Sequence, residues 1–359
     1  MRGGGMIRLE VLANSNEHVH ELVELFNCVW GGMTAELWKW KHLQNPLLDV
    51  APTIVAWDND NIVGANCFMP AIYLIQGIPC KVVQSCDSMI HPNYRGQGIF
   101  TKILCAAEEY YSSYGYKFMI GFPNEKSFPG LMKAGWEHLC DLNQSVLFQN
   151  SFPVLKKRLP DILAKFLSIP IDKYHVIKSK RSDHSFSDFN VKILDECPQS
   201  LIDISRKRDL DIYHMQLSQN YLKWRLDSKV ETEYRYIIVD DDVVPIAYSI
   251  VSLPSLSSNY KISRIIDFDL YQENIRVMGF LLATSVEYLT QYSDAIHVPL
   301  YTGSKSFKRV LRNHGFISFN MLPNIFKIPL MVKLLHESFG REINKQSKWK
   351  INFIDADTA

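Results

Sequence analysis

A glycine-rich turn in the first third of the chain has the residue types that bind a phosphate group. Arg95, Gly96 and Gly98 follow an apolar segment at residues 84–90, which is predicted to be a strand, and precede a helical pattern at residues 101–113. The first N–H groups of a helix have no partner within it, and the helix dipole favours an anion there. Glycine allows close backbone approach, and arginine adds a charge-assisted contact. The turn therefore predicts a pyrophosphate site, although two glycines alone also form ordinary tight turns.

The composition argues against several other classes of protein. Lys plus Arg number 39 against 38 Asp plus Glu, so the formal charge of +1 offers no overall field for nucleic acid. The seven cysteines are scattered and never spaced Cys-x-x-Cys, which argues against a disulfide framework and a zinc site. No apolar run approaches the roughly 18 residues of a membrane span, and no secretion signal is evident. We expect a cytoplasmic protein without a metal, a nucleic-acid partner or stable membrane insertion.

The chain contains two similar halves, at residues 34–140 and 217–320. Each half has a Trp-containing helix end, two strands around an acidic turn, a strand carrying an aspartate, a helix, and a short helix capped by glycine. The aspartates are Asp87 and Asp267. The acidic clusters between strands are interpreted as turns rather than as metal sites. The pattern predicts two tandem α/β units with mixed sheets.

These features give a domain plan with four parts. The glycine-rich residues 1–5 are left out of the fold, because consecutive glycines are costly to order. An amphipathic stretch at residues 155–167 has a mixed face, which favours packing across the two units over lying on a membrane. The predicted parts are a first domain at 6–150, a linker with a helical segment at 151–190, a second domain at 191–335, and a C-terminal tail at 336–359.

Three motifs of the first half resemble those of the GNAT acyltransferase superfamily. They are Met-Ile-His-Pro-Asn-Tyr-Arg-Gly-Gln-Gly-Ile-Phe at residues 89–100, Asn-Glu-Lys-Ser-Phe at 124–128 and Lys-Ala-Gly-Trp at 133–136. The resemblance covers residues 7–148 through these motifs, and residues 190–330 through the repeat alone. The tandem arrangement is similar to that of sugar-nucleotide N-acyltransferases of surface-polysaccharide biosynthesis. It implies two tandem GNAT-like domains and a donor substrate that is acetyl-CoA or another acyl-CoA.

The resemblance also implies where CoA binds. The glycine-rich turn would wrap the pyrophosphate, and the strand before it would pair with the pantetheine amides. The neighbouring strand at residues 117–122 would diverge and open a cleft, with Asn124 at the thioester region and Ser127 within reach of the sulfur. Both residues also fit an ordinary helix N-terminus. The implied contact residues are Ser88, Met89, Ile90, Arg95, Gly96, Gln97, Gly98, Ile99, Phe100, Asn124, Ser127 and Phe128.

Three residues near this turn are candidates for catalysis: Asp87, His91 and Asn124. Acyl transfer to an amine requires a neutral amine, a polarised thioester carbonyl and stabilisation or protonation of the leaving thiolate. Asp87 is the first candidate to accept a proton from the amine or to orient it, and a structurally satisfied carboxylate is the equal alternative. Histidine changes charge near neutral pH, but the corner position of His91 favours a structural hydrogen bond.

The sequence departs from the family pattern at two positions and in the second half. Phe100 stands where the family usually has Gly or Ala, and Leu131 stands where many members carry the tyrosine that protonates the thiolate. The second half has no paired glycines at residues 270–279, where Glu273 would repel a pyrophosphate. We therefore interpret the second domain as degenerate in its CoA motif and as the acceptor side. Its candidate acceptor residues are Tyr221, Trp224, Tyr301 and Lys305, with core packing or a solvated surface as the alternatives.

The function predicted from the sequence is acyl-CoA-dependent N-acyl transfer, by direct attack of a primary amine on the thioester. The acceptor is expected to be a small polar molecule, best matched by a nucleotide-linked amino sugar. One alternative is a tandem-GNAT aminoacyl transferase of cell-wall precursors, which the neutral charge and the intact turn disfavour. The other alternative is a non-catalytic module that binds acyl-CoA. The sequence is also compatible with a homo-oligomer.

Overall fold

The computed structural model describes most of the chain in two compact units. The first unit comprises residues 1–141, 213–216 and 328–348, and the second comprises residues 142–212, 217–327 and 349–359. Residues 1–5 and most of the polar part of the predicted linker, at 180–188, lie outside the described residues. The described residues are 7–47, 52–157, 159–179, 189–207, 211–227, 232–242, 244–255, 258–302, 304–319, 327–336, 343 and 345–356.

The strands lie mostly in apolar, β-branched runs, as strand propensity requires. In chain order they are β1 (Arg8–Leu12), β2 (Thr53–Asp58), β3 (Asn61–Ile75), β4 (Ile78–Ile90), β5 (Phe118–Gly121), β6 (Glu137–Asp141), β7 (Asn143–Phe148), β8 (Phe189–Leu194), β9 (His214–Met215), β10 (Tyr234–Asp241), β11 (Val244–Ser252), β12 (Ile262–Leu270), β13 (Ala295–Tyr301), β14 (Ile317–Ser318) and β15 (Pro329–Leu334).

Helices connect the strands and cover the sheets. They are α1 (Val19–Val29), α2 (Ala35–Leu43), α3 (Ile99–Ser113), α4 (Phe128–Lys133), α5 (Phe152–Lys156), α6 (Asp161–Ser179), α7 (Gln199–Arg206), α8 (Gln219–Leu222), α9 (Ile275–Thr290) and α10 (Lys305–Asn313). Among the described helices, none combines the length and the apolarity that crossing a bilayer requires.

Each unit contains one sheet. The first sheet includes β9 and β15 from the predicted second domain, and the second sheet includes β7 from the predicted first domain. The first sheet has the order β1-β2-β3-β4-β5-β15-β6, with β9 paired to β3. The second has the order β14-β7-β13-β12-β11-β10-β8. In both sheets the antiparallel pattern is interrupted by one parallel pair, β4 with β5 and β12 with β13. This is the fold of two tandem GNAT-like domains that the sequence predicts.

The boundaries of the units differ from the predicted boundaries because β7 pairs in the second sheet, whereas β9 and β15 pair in the first. β15 lies between β5 and β6, and β7 takes the equivalent position between β13 and β14. An alternating or apolar run specifies a strand and its buried face, but not its partner, so sequence periodicity does not detect the exchange. Helices α5 and α6 of the predicted linker and residues 349–356 of the predicted tail belong to the second unit.

Helix α3 shows how the first core positions the glycine-rich turn. Its buried residues Ile99, Ile103, Leu104, Ala107 and Tyr111 recur at helical spacing and pack into the first core. Gly98 immediately precedes the helix in a left-handed conformation. Burial of each large side chain contributes on the order of 1.5–3 kcal/mol, so the start of α3 is held firmly against the sheet.

Candidate active site

Strands β4 and β5 separate beside the glycine-rich turn. They pair in parallel from Val82 and Phe118 to Ser85 and Gly121. β5 then ends, whereas β4 continues to Ile90. Beyond Ser85 the described residues include no further strand on this side of β4. The edge of β4 has no neighbouring described strand there, so its backbone N–H groups can pair with an extended ligand, while the carbonyls of Ser88 and Ile90 accept side-chain hydrogen bonds.

A β-bulge shapes this open edge. One residue of β3, Asn66, faces two residues of β4, Asp87 and Ser88. Asp87 has a φ of 45°, in the left-handed region that few residues other than glycine adopt. The Ser88 hydroxyl donates to Oδ1 of Asn66, which ties the bulge to β3. Such a conformation persists where surrounding contacts hold it, and it is common at functional sites.

The side chain of Asp87 is buried in a cluster of charged groups. Nζ of Lys41 lies 2.9 Å from Oδ1 and 2.8 Å from Oδ2, and Nε2 of His42 donates to Oδ2 over 2.7 Å. Burial alone would raise the pKa of Asp87, but the charge of Lys41 and the hydrogen bond from His42 outweigh it and lower the pKa. Asp87 is therefore a carboxylate with both oxygens engaged, which is a poor arrangement for accepting a proton from an amine.

The glycine-rich turn has the geometry of an anion site. Gly96 and Gly98 have φ values of 78° and 73°, and a Cβ built on either would meet no atom within 4 Å. Both glycines therefore border open space, and the free N–H groups of the first turn of α3 follow them. Arg95 is exposed, and its Nε donates to the carbonyl of Ile90 over 3.2 Å, which holds the guanidinium beside the turn.

His91 and Tyr94 support this turn. Nδ1 of His91 accepts the N–H of Asn93 at 3.3 Å, and its ring lies edge-on to Tyr94. The Tyr94 hydroxyl donates to Asp58 over 2.6 Å and so fixes the turn to the β2–β3 hairpin. His91 thus makes the structural hydrogen bond that its corner position indicated.

Asn124 and Ser127 bond to each other in the turn that leads into α4. Oδ1 of Asn124 accepts the N–H groups of Lys126 at 2.9 Å and of Ser127 at 3.1 Å. The N–H of Asn124 donates to Oγ of Ser127 at 3.1 Å. Asn124 thus makes an Asx turn before α4, whereas the side chain of the N-cap residue Ser127 caps no N–H group of the helix. These contacts fix both side chains beside the open edge of β4.

A cavity of about 460 Å³ joins these elements. Neither Asp87 nor His91 is among the residues that line it, whereas Asn124 is. Its wall consists of Val29, Trp30, Ser88, Met89, Ile90, Tyr94, Arg95, Gly96, Gly98, Ile99, Phe100, Asn124, Lys126 and Ser127. The structure thus brings most of the predicted CoA-contact residues together around one space.

Four of the lining residues, Val29, Trp30, Tyr94 and Lys126, were not among the predicted contact residues. Trp30 and Lys126 lie against each other. The indole N–H of Trp30 donates to the Ser88 carbonyl over 3.1 Å, and Nζ of Lys126 lies 5.6 Å from the centroid of the Trp30 ring. The contacts span the gap where β4 and β5 diverge. In the sequence, two glycines follow Trp30 and predict a turn there. Nothing in the sequence predicts the contact of Trp30 with Ser88.

Phe100 and Leu131, the two departures from the family pattern, are both accommodated by packing. The ring of Phe100 lies against Gly130, where an added Cβ would be only 2.4 Å from Cδ1 of the ring. Leu131 is buried in the first core. Gly130 thus makes room for the large residue at position 100, and position 131 offers no hydroxyl group for proton transfer.

Replacing Gly130 by alanine is expected to destabilise the protein by about 1–3 kcal/mol, because the new methyl group overlaps Phe100. Urea unfolding monitored by circular dichroism measures the change. Gly279→Ala is the matched control: Gly279 is also helical, its nearest neighbour lies at 3.9 Å, and alanine there is expected to be neutral or stabilising. Phe100→Leu should restore most of the stability lost in Gly130→Ala. Equal stability of Gly130→Ala and the wild type would contradict the proposed contact.

In the second unit, a side-chain cap occupies the helix start that corresponds to the anion site of the first unit. Helix α9 follows β12, as α3 follows β4, but its cap is Asn274, whose side chain accepts the N–H groups of Arg276 and Val277. The protein's own amide therefore occupies the helix start that is open in the first unit. Glu273 accepts a hydrogen bond from Ser304 at 3.3 Å and adds negative charge. The second domain is degenerate in its phosphate-binding turn.

Three of the four predicted acceptor residues lie in the core of the second unit. Tyr221, Trp224 and Tyr301 are buried, and the Tyr301 hydroxyl shares a hydrogen bond of 2.8 Å with Ser145. These three rings therefore pack in the core, which is the alternative to acceptor binding that the sequence analysis gave for them. Lys305 is exposed at the start of α10.

Part of the first unit matches a known family of protein domains. Residues 11–139 match the family described as acetyltransferase (GNAT) domain. The match covers about a third of the chain, and this segment is similar to the acetyltransferase domain of an enzyme family. No curated protein sequence matches the chain.

Solved structures share the fold over nearly the whole chain at low sequence identity. A GCN5-related N-acetyltransferase from Anabaena variabilis has a TM-score of 0.64 and 11% identity, over 92% of this chain and 73% of its own. One from Kribbella flavida has a TM-score of 0.56 and 11% identity, over 91% and 71%. A tandem GNAT protein from the clavulanic acid biosynthesis pathway has a TM-score of 0.54 and 11% identity, over 92% and 99%. The tandem arrangement therefore has a counterpart of nearly the same extent.

Proposed function

We propose that the first unit binds acyl-CoA and transfers its acyl group to a primary amine. The observation that carries the proposal is the pair of left-handed glycines at the start of α3, which borders open space at one side of a cavity lined by the free edge of β4. A pyrophosphate needs the first feature, and an extended chain of amides needs the second. The GNAT match of residues 11–139 supports the same donor.

The donor is proposed to bind along the cavity in a fixed order. Arg95 and residues 96–100 hold the pyrophosphate through backbone N–H groups and the guanidinium. The pantetheine pairs with the backbone of residues 88–90 on the open edge of β4. The thioester then lies near the bulge, beside Asn124 and Ser127, whose mutual hydrogen bonds fix their positions.

The reaction is proposed to be a direct attack without a covalent enzyme intermediate. The nitrogen of the neutral amine forms a bond to the thioester carbon, the carbon–sulfur bond breaks, and CoA leaves as a thiolate. The amine proton passes to water, because the carboxylate of Asp87 is engaged by Lys41 and His42. Ser127 offers a hydroxyl group on the cavity wall that can donate to the thiolate. The main contribution of the protein is then positioning.

The acceptor is proposed to be a small polar molecule with a primary amine, best matched by a nucleotide-linked amino sugar. The tandem arrangement, which is similar to that of sugar-nucleotide N-acyltransferases, supports this choice. So does the near-zero formal charge of +1, which offers no field for a large polyanionic acceptor. Lys305, exposed at the start of α10, is the one predicted acceptor residue whose position still suits a phosphate contact.

Leu131 favours one rival, a module that binds acyl-CoA without turnover. Many relatives carry a tyrosine at this position as the acid for the thiolate, and Leu131 is buried and apolar. The rival predicts binding of CoA by the same turn, so only a measurement of turnover distinguishes the two functions.

A thiol-release assay is expected to show turnover with short-chain acyl-CoA and nucleoside-diphosphate amino sugars. The same sugars with the amine already acetylated are the matched control, because they lack the nucleophile but keep every other group. Release without an amine measures hydrolysis of the thioester. CoA binding by calorimetry without turnover across a broad panel of amines would support the non-catalytic module instead.

A further inference from the structure

Helix α6 carries large apolar side chains on the face that points away from the protein. Ile162 is 85% exposed and Phe166 74%, and Leu163 and Ile169 are each about half exposed. Residues three, four and seven positions apart lie on one side of a helix, so these side chains form a continuous apolar face. On the opposite side, Ala164 and Ser168 are buried.

This arrangement reverses the usual pattern of a surface helix, in which the apolar stripe faces the core. Counting Val154 and Leu167, residues 154–169 hold six of the 17 large apolar side chains that are exposed among the described residues. The sequence favoured packing of this stretch across the two units, but its apolar face is exposed. Concentrated exposure of this kind marks an interaction surface rather than scattered surface hydrophobes.

Positive charge accompanies the apolar face. Lys173 lies two turns after Phe166 on the same side, Lys165 lies one turn before Ile169, and both are exposed. Of the acidic residues on α6, Asp172 accepts the N–H of Ser151 over 2.7 Å. Asp161 pairs with Lys156 at 3.1 Å. Both carboxylates are thus engaged, and the charges that flank the apolar face are lysines.

We propose that α6 docks on a membrane surface that contains anionic lipid. The apolar side chains would lie at the boundary between headgroups and acyl chains, with the lysines at the lipid phosphates. This is attachment in the plane of the interface, not a membrane span. A second copy of the chain fits less well, because a two-fold contact between identical faces would bring the lysines of both copies together.

Sedimentation with vesicles tests this proposal on the full chain. We expect the protein to bind vesicles of phosphatidylcholine mixed with phosphatidylglycerol much more strongly than vesicles of phosphatidylcholine alone. The double variant Ile162→Ser with Phe166→Ser should weaken binding by at least about tenfold, because it removes two side chains from the buried face. Lys165→Glu with Lys173→Glu should weaken binding to the mixed vesicles by about tenfold and reduce its dependence on salt.

A matched control removes the same kind of side chain elsewhere in the second unit. Val244 and Ile275 are also exposed, and Val244→Ser with Ile275→Ser should leave vesicle binding unchanged. Unfolding midpoints confirm that each variant is folded. The proposal is overturned if the wild type does not sediment with mixed vesicles, or if the α6 variants bind as the wild type does. It is also overturned if light scattering shows a dimer that the Ile162→Ser, Phe166→Ser variant dissociates while no vesicle binding occurs.

Discussion

Gly98→Glu is expected to abolish CoA binding, with a loss of affinity of about 100-fold or more. Gly98 has a φ of 73°, which glutamate adopts only with strain. The new carboxylate would also lie at the start of α3, where it competes with the pyrophosphate for the same N–H groups and repels it. Isothermal titration calorimetry with CoA and with acetyl-CoA measures the change.

Gly115→Glu is the matched control for this variant. Gly115 lies just beyond the other end of α3, with a φ of 77° and no atom within 4 Å of an added Cβ. The substitution therefore adds the same strain and the same charge to the same helix, away from the turn. Its CoA affinity should equal that of the wild type. Unchanged affinity in Gly98→Glu, or equal losses in the two variants, would show that this turn is not the pyrophosphate site.

The glycine-rich turn could be predicted because its signals are local. Glycines at left-handed positions, a preceding strand and a following helical period all lie within a short stretch, and each has its own physical cause. The same holds for the turn contacts of Asn124 and for the structural hydrogen bond of His91. The repeat likewise predicted two sheets, because the order of strands and turns recurs.

Contacts between distant segments could not be predicted in this way. The partners of Asp87 are Lys41 and His42, which lie 46 and 45 positions earlier. Trp30 reaches Ser88 across 58 positions. Composition and periodicity carry no information about such pairs. For the same reason they do not predict that β7 and β15 pair in the sheet of the other unit.

Aromatic residues of the second half show a different limit. A tyrosine or tryptophan can stack on a ligand or fill a core, because both roles use the same ring. Tyr221 and Tyr301 fill the core. The sequence is compatible with both ligand stacking and core packing. It does not distinguish them, because the burial of a ring depends on the packing of the whole unit.

Asp87→Asn is expected to lower the free energy of unfolding by about 3–5 kcal/mol, because it leaves Lys41 buried without its counter-charge. Asparagine adopts left-handed backbone conformations as readily as aspartate, so the substitution keeps the bulge accessible and tests the charge alone. Urea unfolding measures the difference.

The pH dependence of this difference has a defined sign. Burial opposes the charged form of Asp87, but Lys41 and His42 hold its folded-state pKa below that of an ordinary aspartate. A carboxyl group with a lowered pKa contributes stability that is fully present above its unfolded pKa of about 4 and is lost as the pH falls towards the folded value. The gap between wild type and Asp87→Asn should therefore shrink below about pH 4.

Turnover separates a structural role of Asp87 from a role as general base. Lys41→Met breaks the same charged cluster but removes no proton acceptor, so it is the matched comparison. If Asp87 holds the bulge through its ion pair with Lys41, both variants should lose kcat/KM together, on the order of 100-fold at temperatures where they remain folded. The reason is that the bulge stays accessible to the backbone but is no longer held, so the thioester is misplaced. If Asp87 takes the amine proton, only Asp87→Asn should lose kcat by about 100-fold or more, whereas folded Lys41→Met should keep most of its kcat. We expect the first outcome, since the carboxylate is buried and both of its oxygens are bound.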